Sequence, residues 1–165
     1  IMEFVIDMIG RYKSKGLLVD ANLLLLYFVG LYDQERIPRF KRTLTFTIDE
    51  FVLLAAILDS FDKVITTPNI LTEVSNLSSQ LPTKLRTDFY GDFAARIPVF
   101  EEHYTASGTI SASTHFSKFG LTDSGIVDMV KDKYLVLTDD LKLFGYLQNL
   151  GIDAINFNHI RSLAW

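Results

Sequence analysis

Four carboxylates punctuate this chain of alternating strand-like and helix-forming segments. They are Asp20 in Leu17-Leu18-Val19-Asp20-Ala21-Asn22, Glu73 in Pro68-Asn69-Ile70-Leu71-Thr72-Glu73, Asp123 in Gly120-Leu121-Thr122-Asp123, and Asp140 in Leu135-Val136-Leu137-Thr138-Asp139-Asp140. Two of them follow a short apolar run, where the carboxyl end of a parallel strand presents side chains to a cleft. The other two fall in the opening turns of predicted helices. Acids that converge in one cleft repel each other unless a divalent cation neutralises them, so the set points to magnesium or manganese. Taken singly, each acid has a plainer use as a helix cap or a solvated residue. It is the ordered set that carries the cation reading. Asp128 is five residues after Asp123, about 140° around a helix, and reads as solvated. Asp59, Asp62, Asp88 and Asp92 have no strand-end context.

The elements that must position these acids are legible in outline. Met2, Val5, Ile6, Ile9 and Tyr12 recur at helical spacing, which predicts an amphipathic helix over about residues 2–13. Gly16 to Asp20 is a short apolar strand of the kind buried on both faces, and Ala21 to Val29 a buried helix. Gly30 to Thr45 is polar, basic and irregular. Thr47-Ile48-Asp49-Glu50 is a capping box that opens a helix running to Phe61. Lys63 to Thr67 is a second strand, and Thr67-Pro68 an N-cap followed by a first-turn proline. The helix so opened runs to about Leu77 and carries Glu73. A further helix spans about Leu81 to Ile97. The Ser-, Thr- and Gly-rich stretch from Thr105 to Gly120 reads as a mobile loop over a cleft. A helix over Leu121 to Lys131, a strand over Tyr134 to Thr138, a helix over Leu141 to Leu150 ending at a left-handed Gly151, and a last strand over Asp153 to Phe157 complete the order. That order predicts a three-layer α/β/α sandwich around a mainly parallel sheet of about four to five strands.

Composition narrows the function classes. The 165 residues fit one domain, 1–165, and 48% hydrophobic content with 22% charge excludes a disordered chain. With no cysteine, disulfides and thiolate metal sites are ruled out and a cytoplasmic location is expected. His103, His115 and His159 lack zinc-ligand spacing. The longest strongly apolar run, Leu23 to Leu31, falls well short of the roughly 20 residues that span a bilayer, so no membrane partner is expected. Ile1-Met2-Glu3-Phe4 has no basic segment of the kind that opens a secretion signal. The net charge of −4 is unusual for a nucleic-acid binder held by charge alone, although cations bound among the acids would change the local sign. The clearest basic cluster is Arg36, Arg39, Lys41 and Arg42. It reads either as a solvated loop or as a phosphate-contacting rim with Phe40 available for stacking.

The ordered pieces resemble the PIN domain family, metal-dependent nucleases that include the VapC-type toxins. They run from Leu17 to Asn22, Thr67 to Glu73, Leu121 to Ile126 and Val136 to Asp140, with intervals of 53, 50 and 17 residues between the acids. The helix over about 2–13 and the inserted basic loop and helix over about 31–61 depart from a compact toxin. The resemblance implies a metal-dependent endoribonuclease acting on single-stranded or structured RNA, as the toxin of a toxin–antitoxin pair or as a defence nuclease. Its implied partners are RNA, an antitoxin protein and a second copy of the chain.

Phosphodiester hydrolysis needs an activated water and neutralisation of transition-state charge, both of which magnesium or manganese supplies. Asp20, ending the first strand, is the expected central ligand, with Asp123 and Asp140 completing direct or water-mediated coordination. Glu73 would orient the attacking water or act as base. Asn22 and Thr138 would hold the carboxylates in place. Asp139 is expected to point away from the site as a supporting residue if the strand continues through it, because successive strand residues face opposite ways; if the strand ends one residue earlier, Asp139 is the fourth ligand in place of Asp140. Two readings stay open beside the ribonuclease: a PIN-like RNA- or protein-binding module that does not cut, and a DNA-directed nuclease. A phospho-accepting receiver domain lacks its acidic pair and late-strand lysine here. Asn22 likewise replaces the second aspartate that a haloacid-dehalogenase-type phosphatase needs.

Overall fold

The computed structural model describes residues 1–164. Its elements in chain order are α1 (Met2–Tyr12), β1 (Leu17–Val19), α2 (Ala21–Tyr32), α3 (Ile48–Asp59), β2 (Val64–Thr66), α4 (Pro68–Ser78), α5 (Thr83–Arg96), β3 (Glu101–Glu102), α6 (Ser107–Ser111), α7 (Phe116–Val130), β4 (Leu135–Thr138), α8 (Leu141–Asn149), β5 (Ala154–Asn156) and α9 (Phe157–Ile160). The strands form one all-parallel sheet in the order β3-β2-β1-β4-β5. Helices cover both of its faces, which gives the expected three-layer sandwich.

Strand order locates the site. From β1 the chain steps outward to β2 and then β3, crosses back over β1 to β4, and steps outward again to β5. Right-handed crossovers therefore place α2 to α5 on one face and α6 to α8 on the other. The packing agrees, since α2 contacts α3, α4 and α5, while α7 contacts α6 and α8. The helices diverge between the carboxyl ends of β1 and β4, which is the switch point where open α/β sheets hold ligands.

Burial explains the apolar character of the central strands. Leu17, Leu18 and Val19 in β1, and Leu135, Val136 and Leu137 in β4, are fully buried, because helices cover both sides. The α2 helix is buried nearly all round, through Leu23 to Leu26, Phe28 and Val29. The capping box of α3 is formed: Glu50 N donates to Thr47 Oγ1 at 3.1 Å and Thr47 N donates to Glu50 Oε2 at 3.0 Å. Thr67 accepts from Ile70 N at 3.2 Å and starts α4 with Pro68. Gly151 has φ +69°, the left-handed conformation expected after α8.

Three segments differ from expectation. Thr105 to Gly120 is not a loop: it holds α6 and the first turn of α7, tied down by buried Ile110. Gly120 (φ 75°, ψ −167°) kinks α7 just before Asp123, where a residue with a Cβ would be strained. The basic stretch contains a 3-10 helix, Gln34–Arg39. In α1 the buried side chains are Val5, Met8 and Tyr12, leaving Met2 and Ile6 exposed.

The α2–α3 contact is close enough to test the packing. A Cβ built on Gly30 would stand 2.2 Å from Cδ1 of Phe51, a ring that is itself in the core. Gly30→Ala is therefore expected to destabilise the protein by about 1–3 kcal/mol through overpacking, despite the better helix propensity of alanine. Urea denaturation would measure this, and a stabilised variant would show that the helices separate freely.

Candidate functional site

Asp20 is the N-cap of α2 and is only 6% exposed. Its Oδ1 accepts from Leu23 N at 3.2 Å, and its Oδ2 accepts from the Thr138 hydroxyl and from Asp139 N at 3.2 Å. The strand pairing of β1 with β4 brings these groups together, and Asp20 N extends the ladder by donating to Leu137 O at 3.1 Å. The Thr138 hydroxyl also accepts from Asp140 N at 3.0 Å, so one side chain joins the ends of both strands. Asp140 caps α8, its Oδ1 accepting from Lys142 N at 2.8 Å and Leu143 N at 3.1 Å. From the other side, α4 and α7 meet over the carboxyl edge. There the Thr122 hydroxyl donates to Glu73 Oε1 at 2.7 Å.

The result is a cavity of about 140 Å³ whose walls include Asp20, Asn22, Glu73, Asp123, Asp139 and Asp140. All four acids singled out from the sequence reach it, together with Asn22. Thr138 supports it through Asp20. No lysine or arginine lines it.

Asp139 differs from expectation. It does not point away: it lines the same cavity as Asn22, and its charge is felt by Asp20. The side chain resting on helix amides is Asp140 instead, through one of its two oxygens. The extended strand stops at Thr138, so strict alternation no longer governs the two residues after it.

Electrostatics follow from burial and like charge. Burial pushes Asp20 above the usual carboxylate range, the Asp139 charge adds to this, and the hydrogen bonds from Thr138, Leu23 N and Asp139 N oppose it. Asp123 is raised to about 6, first by burial and then by Asp140 and Glu73, against a lowering influence from Lys142. Asp139 is raised chiefly by burial. Like charges are thus held in one place with hydrogen bonds but no cationic partner in the wall.

Among the described residues no three acids, histidines or cysteines already converge as a metal-binding group. The donor set nevertheless suits a hard divalent cation. It consists of carboxylate oxygens with excess negative charge, in a space wide enough for water between cation and protein, the arrangement magnesium favours.

The basic cluster lies outside this cavity. Phe40 is 3% exposed, packed in the core, so it is not available for stacking. Arg36 is half-buried, with Nε lacking a partner, while Arg39, Lys41 and Arg42 are exposed. Arg42 donates to Gln80 Oε1 at 2.9 Å. Gln80 lies in the turn after α4, seven residues beyond Glu73. One supporting residue escaped the sequence reading: Asn158 in α9 donates from Nδ2 to Asp139 O at 2.7 Å, fixing the backbone at the cavity rim. Its only signal is an Asn-x-Asn pair ending the last strand.

No family profile, no curated protein and no solved structure matches this chain.

A carboxylate whose folded pKa lies above its unfolded value binds more protons when folded, so its contribution to stability is lost as pH rises. Metal-free protein is therefore expected to lose stability from the ordinary carboxylate range through about pH 6 for Asp123, and further for Asp20. Thermal melts in a chelator should show that fall. The fall should flatten in an Asp20→Asn/Asp123→Asn double variant; an equally steep profile in that variant would place its origin elsewhere.

Proposed function

We propose that this chain is a metal-dependent endoribonuclease of the PIN domain kind, hydrolysing phosphodiester bonds of RNA. The observation that carries this reading is the set of five carboxylates in one cavity at the switch point between β1 and β4. When bound, magnesium or manganese would make water more acidic and neutralise charge on phosphoryl oxygens. Asp20 and Asp123, with Asp139 and the free oxygen of Asp140, would hold the cation. Thr138 and two backbone amides fix the Asp20 carboxylate, and the Asn22 side chain, which lines the cavity with Asp139, would steady the carboxylates once the cation is bound. Glu73 is tied to Thr122 by one oxygen, which leaves the other to orient the attacking water or accept its proton.

A second reading, a module that holds RNA or a protein without cutting, is favoured by the lack of a ready-made three-residue metal cluster. The carboxylate repulsion weighs more heavily for the nuclease, because a binding surface for a polyanion gains nothing from five acids. A cytoplasmic location, an antitoxin partner and a homodimer belong to the toxin form of this proposal. Among the described residues no helix is long and apolar enough to cross a membrane.

Incubating the purified protein with end-labelled RNA and DNA single strands in magnesium, manganese or chelator tests the reading. Metal-dependent cleavage of RNA is expected, and DNA cleavage alone would redirect the substrate. Asp20→Asn should lower the rate at least about a hundredfold while leaving the fold intact. Full activity in a folded Asp20→Asn protein would rule out the proposed chemistry. A paired comparison follows from the side-chain directions. Asp139→Asn should approach the Asp20→Asn loss. Asp140→Asn should be milder, since asparagine caps a helix nearly as well as aspartate. The opposite ranking would make Asp140 the principal ligand of the pair.

A further inference from the structure

A nuclease with a net charge of −4 and an acid-lined cavity needs local positive charge beside that cavity to hold a polyanion. Two exposed lysines, Lys118 on α7 and Lys142 on α8, are in contact with each other, and the second acts electrostatically on Asp123. Lys142 lies in the first turn of α8, two residues after Asp140, and is the cation whose charge reaches Asp123. Its Nζ donates to Lys118 O at 2.9 Å and sits 4.9 Å from the centroid of the Phe119 ring. Lys118 Nζ lies 5.0 Å from the Tyr146 ring centroid and 5.5 Å from that of Phe119. The two rings pack on each other with centroids 4.8 Å apart. Among the described residues neither lysine forms an ion pair with a carboxylate.

Long lysine side chains normally lose substantial rotamer freedom when they are fixed. Here, aromatic faces and a carbonyl hold the two ammonium groups in advance without neutralising them. By contrast, Arg161 is committed to Glu50 at 2.9 Å and Arg96 to Asp92 at 2.8 Å. The pair also adjoins the kink at Gly120, which leads directly into Leu121, Thr122 and Asp123.

Resting on the ribonuclease reading, we propose that Lys118 and Lys142 form a phosphate clamp that holds the backbone of a single-stranded nucleic acid at the Asp123 side of the acidic cavity. The ligand chemistry is the phosphodiester, and the ring pair serves to position the charges. The Arg39–Arg42 segment, set away from the cavity, is then secondary.

The test is fluorescence anisotropy of end-labelled RNA and DNA single strands of one sequence, titrated with the full chain across a salt series. It would be run in chelator and, separately, in calcium. For a single strand the log–log salt slope changes by about 0.7 per phosphate contact. Lys118→Ala/Lys142→Ala should therefore flatten the slope by about 1.4, and Lys118→Arg/Lys142→Arg should retain it. Arg39→Ala/Arg42→Ala should flatten it less. An unchanged slope in the folded double-alanine variant would overturn the clamp, as would an unmodified protein that binds neither strand in either condition. The RNA and DNA arms show which sugar the site accepts. Lysine-dependent binding without metal-dependent cleavage would leave the clamp standing and remove the nuclease reading.

Discussion

Burial of several carboxylates beside one another, with no cationic partner in the wall, is the constraint on which the candidate site depends. Asp20, Asp123 and Asp139 are each pushed toward the protonated state by burial, and neighbouring acids add to the shift at all three. Unpaired buried charge is among the costliest features a fold can carry. At Asp20 the cost is offset in part by hydrogen bonds whose donors come from buried structure. The amide of Leu23 belongs to a buried helix, and Thr138 and Asp139 N stand at the end of a fully buried strand.

Sheet topology makes the convergence possible. A parallel sheet with its switch point between β1 and β4 opens one crevice at its carboxyl edge. Two acidic positions lie at the ends of those strands, and the helices crossing the opposite faces bring Glu73 and Asp123 over the same edge. The Thr122–Glu73 hydrogen bond joins the two helical layers directly above the cavity. Loss of a central-strand side chain would therefore reach the site through geometry, not through contact with a ligand. The stability of the fold and the proposed chemistry depend on the ends of the same elements.

Much of this was legible in the sequence, for identifiable reasons. Strands buried on both faces are continuous apolar runs, so β1, β2, β4 and β5 announce themselves, and Thr47, Thr67 and Gly151 mark helix ends chemically. The edge strand β3 consists of Glu101 and Glu102, both exposed, and carries no such pattern. The first part of α7 and all of α6 were hidden by weak helix formers whose helical state is decided by tertiary packing of Ile110. Charge around Phe40 suggested exposure. In a 3-10 helix, however, residues three apart share a face, and Ile37 and Phe40 are buried together. The roles of Asp139 and Asp140 depended on where the extended geometry stops, and a one-residue difference in a strand end exchanges the faces.

The proposed ribonuclease requires this acidic cavity to hold a hard divalent cation. The most direct test of that requirement is the anomalous scattering of manganese in crystals grown with that ion. A peak bounded by Asp20, Asp123 and the Asp139–Asp140 pair, displaced by excess magnesium, is the predicted result. Ordered carboxylates around a cavity with no such peak, at saturating manganese and neutral pH, would contradict it.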